Sequence, residues 1–312
     1  MFALTLSAAL AAPLQPSPMS DETYAETFTA VASLEDGSFV LLQLLFTNAG
    51  IGSNRGGCRA LWVPPGQTGI NTSQNVDRDE WAYDAGAAQL KVGDCALKST
   101  ASGLQFTAAL PDLSADMTLS GVSAQTVRPP DSRISVKGNV YESDLIVPWA
   151  RASVTLKAGG QSKTLSGHAH LDHSRSNTLL PEVADCWLRF RGFSGASPLL
   201  LQVRVPPEGA AVGWSWPLSD ASPHAVSAGD LTAVLSSTGS PQLTVDGITV
   251  TPGAQIYRYR PTESYGALGR LAAPWIGDPT TTTYSATAAT DGGTVRGILE
   301  VSQISAGACT GQ

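Results

Sequence analysis

The sequence is short of charge, histidine and long apolar runs, and each shortage closes off a class of protein. Charged residues fill 14% of 312 positions, well below the ~25% usual for soluble domains. The net charge of −7 provides no basic footprint, so neither nucleic acid nor an anionic lipid surface is an expected partner. No apolar run reaches the ~18–20 residues that a membrane-spanning helix needs. A C-x-x-C pair for a metal knuckle or redox centre is missing, as is the G-x-S-x-G elbow of serine hydrolases. The glycine loops Gly50-Ile51-Gly52 and Gly66-Gln67-Thr68-Gly69 lack the helix and lysine of a phosphate cradle. No cofactor is therefore expected.

What fills the space is Gly, Ser, Thr, Ala and Val, a composition that favours strands. Thr23–Leu34 and Ser38–Thr47 flank Glu35-Asp36-Gly37, and Asp-Gly is a strong hairpin signal. Strand-length segments then recur every ~8–12 residues with Gly or Pro between them, the signature of an antiparallel barrel or sandwich. Helical periodicity never lasts beyond a turn or two. Cys186–Phe193, the turn Ser194-Gly195-Ala196-Ser197 and Pro198–Val205 echo the opening hairpin. The chain thus reads as all-β with an internal repeat. Residues 21–163 form one expected domain and 164–312 a second, after a signal-peptide-like segment and polar linker over 1–20.

That leader, MFALTLSAALAA, ends in an A-x-A-like cleavage site but has no positively charged n-region. It points to an exported protein, periplasmic or secreted. Four cysteines suit that compartment and permit three pairings. The simplest lies within each half, Cys58 with Cys95 and Cys186 with Cys309. A closed second barrel would bring the latter two together, since its first and last strands meet. Four unrelated buried thiols are the plain alternative.

Three of the four histidines lie in Gly167-His168-Ala169-His170-Leu171-Asp172-His173-Ser174-Arg175. The H-x-H-x-D-H pattern matches a zinc-hydrolase signature, in which His168, His170 and His173 would ligate the ion. Only His224 remains downstream, and no alternating α/β pattern surrounds the motif. A metal is therefore the weaker reading. In the stronger one Asp172 orients His173, which donates a proton or holds two segments together. Arg175 either pairs with Asp172 or grips a ligand carboxylate.

With W-L-R-F-R following at Trp187–Arg191, this stretch resembles the tandem lipocalin-like family of Svf1-like, AttH-like and carotenoid 1,2-hydratase-type proteins, which also includes fungal Diels–Alder cyclases. Gly167, Asp172 and His173 match the family's G-x-G-Y-x-D-H motif. Ala169 stands at its second glycine, His170 at its tyrosine and Arg175 at the hydratases' tryptophan. The resemblance implies two calycin-type barrels that bind a hydrophobic small molecule or lipid, in a barrel or at the domain seam. Its alternative is a cofactor-free isomerase, cyclase or hydratase using His173 as proton donor.

Two further strands alternate in a way that separates their faces. Trp187, Arg189 and Arg191 share one side of a strand and Leu188 and Phe190 the other. Tyr257-Arg258-Tyr259-Arg260 repeats the arrangement. Arg175, His170, Trp187, Arg189, Tyr257 and Tyr259 are the candidate ligand contacts. In the plain reading Leu188 and Phe190 lie in the core and the arginines in water.

Overall fold

A computed structural model describes residues 14–48, 53–122, 126–195, 197–234, 241–260, 279–304 and 310–311. Residues 1–13, most of the segment read as a signal peptide, and Cys309, the expected partner of Cys186, lie outside the described residues. Among the described residues the regular structure is almost all strand, in two antiparallel sheets that each curl into a nearly closed barrel. The chain comprises two compact units, 1–128 with 142–177, and 129–141 with 178–312.

The first sheet takes β1 (Ala25–Leu34), β2 (Phe39–Thr47), β3 (Arg55–Val63), β4 (Ile70–Val76), β5 (Trp81–Asp84) and β6 (Gln89–Val92). It continues through β7 (Cys95–Thr100), β8 (Gly103–Ala109), β9 (Ser114–Ser120), β10 (Arg133–Val136), β11 (Asn139–Ala158) and β12 (Gln161–Ser176). Its order is β4-β3-β2-β1-β12-β11-β9-β8-β7-β6-β5, with β10 on β11. The expected opening hairpin is β1 and β2, turned by Gly37 at φ 85°, a backbone state that glycine adopts without a Cβ clash. Tyr24, Phe28, Ala30, Ala32 and Leu34 alternate into the core with Leu42, Leu44, Phe46, Phe106 and Met117. Full burial of a side chain such as Phe28 or Phe46 contributes about 1.5–3 kcal/mol.

Asn139–Ala158 is one 20-residue strand running through Pro148. Ser162–Gly167 and the histidine stretch form a single 16-residue strand, β12. That strand pairs with β1 over its second half, from Leu34↔Gly167 to Ala25↔Ser176. The boundary read at 163/164 therefore falls at 177/178, because the histidine strand completes the first barrel.

The second sheet, after α1 (Leu180–Val183), takes β13 (Cys186–Gly195), β14 (Leu199–Val205), β15 (Val212–Pro217), β16 (His224–Val226) and β17 (Leu231–Val234). β18 (Gln242–Val245), β19 (Ile248–Tyr259), β20 (Thr280–Thr290), β21 (Gly293–Gln303) and β22 (Thr310–Gly311) follow. Its order, β16-β15-β14-β13-β21-β20-β19-β18-β17-β22, repeats the first sheet's arrangement around β1–β4 and β12. In both sheets the first strand meets the closing one, β1 with β12 and β13 with β21. The second core holds Cys186, Leu188, Phe190, Leu201, Val203 and Leu299. Segment 129–141 is fastened to this unit by Arg204, whose guanidinium donates to both Asp131 oxygens at 2.8 and 2.9 Å and to the Val183 carbonyl at 2.7 Å.

Cys58 and Cys95 form a disulfide with Cα atoms 6.3 Å apart. It ties β3 to β7, which lie one and two strands in from the end strands β4 and β5 of the first sheet, and so links the two ends of that sheet, which do not pair with each other. A buried disulfide of this kind suits an oxidising compartment.

Candidate functional site

Residues alternate across a strand, and this splits the histidine stretch in two. Gly167, Ala169, Leu171, His173 and Arg175 lie opposite Leu34, Ala32, Ala30, Phe28 and Glu26 of β1 and share the core face. His168, His170 and Asp172 lie opposite Ser33, Val31 and Thr29 on the other side. Position 167 requires glycine because a Cβ would run into the Ser33 carbonyl oxygen.

On the core face His173 stacks on Phe28, ring centroids 4.4 Å apart and planes 19° from parallel. Phe28 meets Phe46 edge-on, and Phe46 packs on Trp81. His173 Nε2 lies 2.7 Å from Glu26 Oε1. Glu26 is fully buried, a state a carboxylate tolerates only with partners. Its Oε2 accepts the Tyr24 hydroxyl at 2.7 Å, and the Ser17 amide donates to Oε2 at 2.9 Å and to Oε1 at 3.2 Å. Burial, then the adjoining Glu26 charge, pushes the Tyr24 phenol far above its ordinary range, so it remains a donor. The His173 side chain keeps 20% exposure. Beside it Arg175 Nη2 donates to Glu142 at 2.5 Å.

The other face carries a separate set. His170 Nδ1 donates to the Pro148 carbonyl at 3.3 Å, and its Nε2 lies 3.3 Å from Asp172 Oδ2. His168 stacks on Trp149 at 4.9 Å; burial lowers its pKa, the Glu35 charge opposing and Arg151 adding.

Three expectations change. Asp172 is the partner of His170, and the carboxylate that holds His173 is Glu26, because neighbours in a strand face opposite ways. Arg175 pairs with Glu142 rather than Asp172. His168 and His170 project away from His173, so the three cannot converge on one zinc ion; among the described residues no three potential ligands cluster. Sequence reading missed Glu26 and Tyr24. The available signal was an acid at core parity in Tyr24-Ala25-Glu26-Thr27-Phe28.

In the second unit Leu188 and Phe190 take the core, which puts Trp187, Arg189 and Arg191 on the barrel's outer face rather than inside it. The arginines are not left in water: Arg191 is 3% exposed, and both approach Glu300, at 3.7 Å from Arg189 and 3.5 Å from Arg191. The register lines up Tyr257, Thr283, Glu300, Arg189, Gln202 and Trp214 in one cross-strand row. Tyr259, Thr281, Ser302, Trp187 and Arg204 form the next. Directly opposed residues share a face, so Tyr257 and Tyr259 lie on the same outer face as Trp187 and Arg189, with strands β20 and β21 between them. Trp187 already packs on Tyr141, 5.6 Å away. Among the described residues the indole Nε1 of buried Trp214 has no hydrogen-bond acceptor.

The strand order and barrel closure define two lipocalin-like domains in tandem. Solved structures share this fold. A protein assigned as AttH from Nitrosomonas europaea aligns with TM-score 0.63 and 12% identity, over 90% of this chain and 92% of its own. CghA, solved with Sch210972, aligns at 0.57 and 11%, covering 91% and 89%. Kievitone hydratase from Nectria haematococca aligns at 0.56 and 11%, covering 90% and 89%. No protein-family profile matches the chain, and no curated protein does.

Proposed function

We propose that this chain is an exported protein that binds a hydrophobic small molecule or lipid bearing a polar group. The carrying observation is the outer face of the second barrel, where the row from Tyr257 to Trp214 shares one face with the Arg189, Arg191 and Glu300 charges. Aromatic side chains offer an apolar body with a polar edge, and a buried indole donor without an acceptor is a group that a ligand oxygen would satisfy. A protein of the same fold is solved with a small molecule, Sch210972, which supports the reading. Native mass spectrometry of the gently purified chain, then tryptophan fluorescence titrations with oleate and retinol, test it. A bound small-molecule mass, or saturable quenching weakened about tenfold (~1.4 kcal/mol) by Trp214→Phe, is expected. No adduct and no saturable response would retire the proposal.

The buried Glu26 under His173 favours a second reading, a cofactor-free proton-transfer enzyme of the isomerase, cyclase or hydratase kind. Solvent-deuterium incorporation into hydrophobic ketones and enones should be catalysed by the wild type and lost in His173→Ala. An exchange rate identical in the two proteins would sink this reading while leaving binding intact.

A further inference from the structure

We infer that Glu26 is the positioning residue of His173, fixing its neutral ring as the Nε2–H tautomer and leaving Nδ1 as the basic nitrogen. The catalytic consequence rests on the proton-transfer reading above; the tautomer does not. An ionised carboxylate only accepts hydrogen bonds, so the proton in the 2.7 Å contact with Glu26 belongs to Nε2. Oε2 serves the Tyr24 hydroxyl and is the nearer acceptor of the Ser17 amide, 2.9 Å against 3.2 Å to Oε1, and the stack on Phe28 holds the plane of the ring. No described residue hydrogen-bonds Nδ1. The ring is therefore held as a proton acceptor toward a ligand, not as the donor that the sequence alone implied.

The substrate class follows: a hydrophobic molecule with a weakly acidic C–H or O–H. That bond breaks with its electron pair left on the substrate, and a bond to Nδ1 forms. The imidazolium keeps its Nε2–H on Glu26, and the Nδ1 proton then returns to a different substrate atom, regenerating the neutral ring.

The same geometry predicts what Glu26→Gln does. Two donors, Tyr24 and the Ser17 amide, claim the Gln carbonyl oxygen at the Oε2 position. Its NH2 group then occupies the Oε1 position and donates to Nε2, driving the ring proton to Nδ1. An Asp→Asn change beside the histidine of a serine-protease triad acts by the same logic of a wrong tautomer. Two-bond 15N–1H correlation spectra of the labelled full chain at neutral pH read this directly, with His173 identified by loss of its signals in His173→Gln. The wild type should show Nε2–H and Glu26→Gln should show Nδ1–H. An Nδ1–H wild type overturns the inference, as does an unchanged tautomer in Glu26→Gln. If that variant does not fold, the wild-type spectrum decides alone. In the deuterium assay Glu26→Gln should lower kcat at least tenfold with KM held. A switched tautomer with unchanged exchange would keep the positioning role and remove the proton-transfer reading instead.

Discussion

Removing the Cys58–Cys95 bridge tests the closure of the first barrel. The cysteines are 37 positions apart. Loop-closure entropy, about −2.1 − 1.5R ln n cal/mol/K, then gives a stabilisation of roughly 4 kcal/mol at 25 °C. Both cysteines are at most 2% exposed within the first core, so alanine preserves an apolar site and the loss is chiefly that of the cross-link. For a unit of this size, ~4 kcal/mol lowers Tm by roughly 8–16 °C. Calorimetry and urea titration of Cys58→Ala/Cys95→Ala against the wild type measure it. The ends of the sheet, β4 and β5, do not pair with each other, so no ladder replaces the lost staple. A loss under about 1 kcal/mol would show that side-chain packing alone closes the barrel, and would refute the reasoning.

Asp131→Ala removes the partner of a buried guanidinium, whose side chain is 8% exposed; a cost of about 2–4 kcal/mol is expected in urea unfolding. Gly167→Ala drives a Cβ against the Ser33 carbonyl and the Leu34 Cα, and should cost about 1–3 kcal/mol by the same measure. The lowered pKa of His168 fixes a sign: the unfolded chain binds its proton more readily, so stability is complete above the ordinary value near ~6.5 and falls as pH drops through it toward the folded value. His168→Gln should flatten that part of the pH–stability curve relative to the wild type.

Much of the fold was legible because its signals are local. Asp36-Gly37 marks the first hairpin, and the parity of Leu188 and Phe190 names the core side of β13 without any knowledge of its neighbours. The Cys58–Cys95 pairing was the simplest of three connectivities, and the structure selects it by bringing β3 and β7 together. The length of β12 was not legible, since Gly167 and the polar run after it imitate a loop; pairing with β1 holds that backbone extended.

The sequence by itself determined an all-β tandem protein and a polar hot spot around residue 173, because alternation and turn chemistry act over a few residues. Only the tertiary structure decided partnership within that hot spot. His173 and Glu26 are separated by 147 positions and meet because β12 closes on β1, while adjacent Asp172 is turned away by the pleat. A strand's two faces are fixed locally, but which strand lies beside it is a property of the closed barrel.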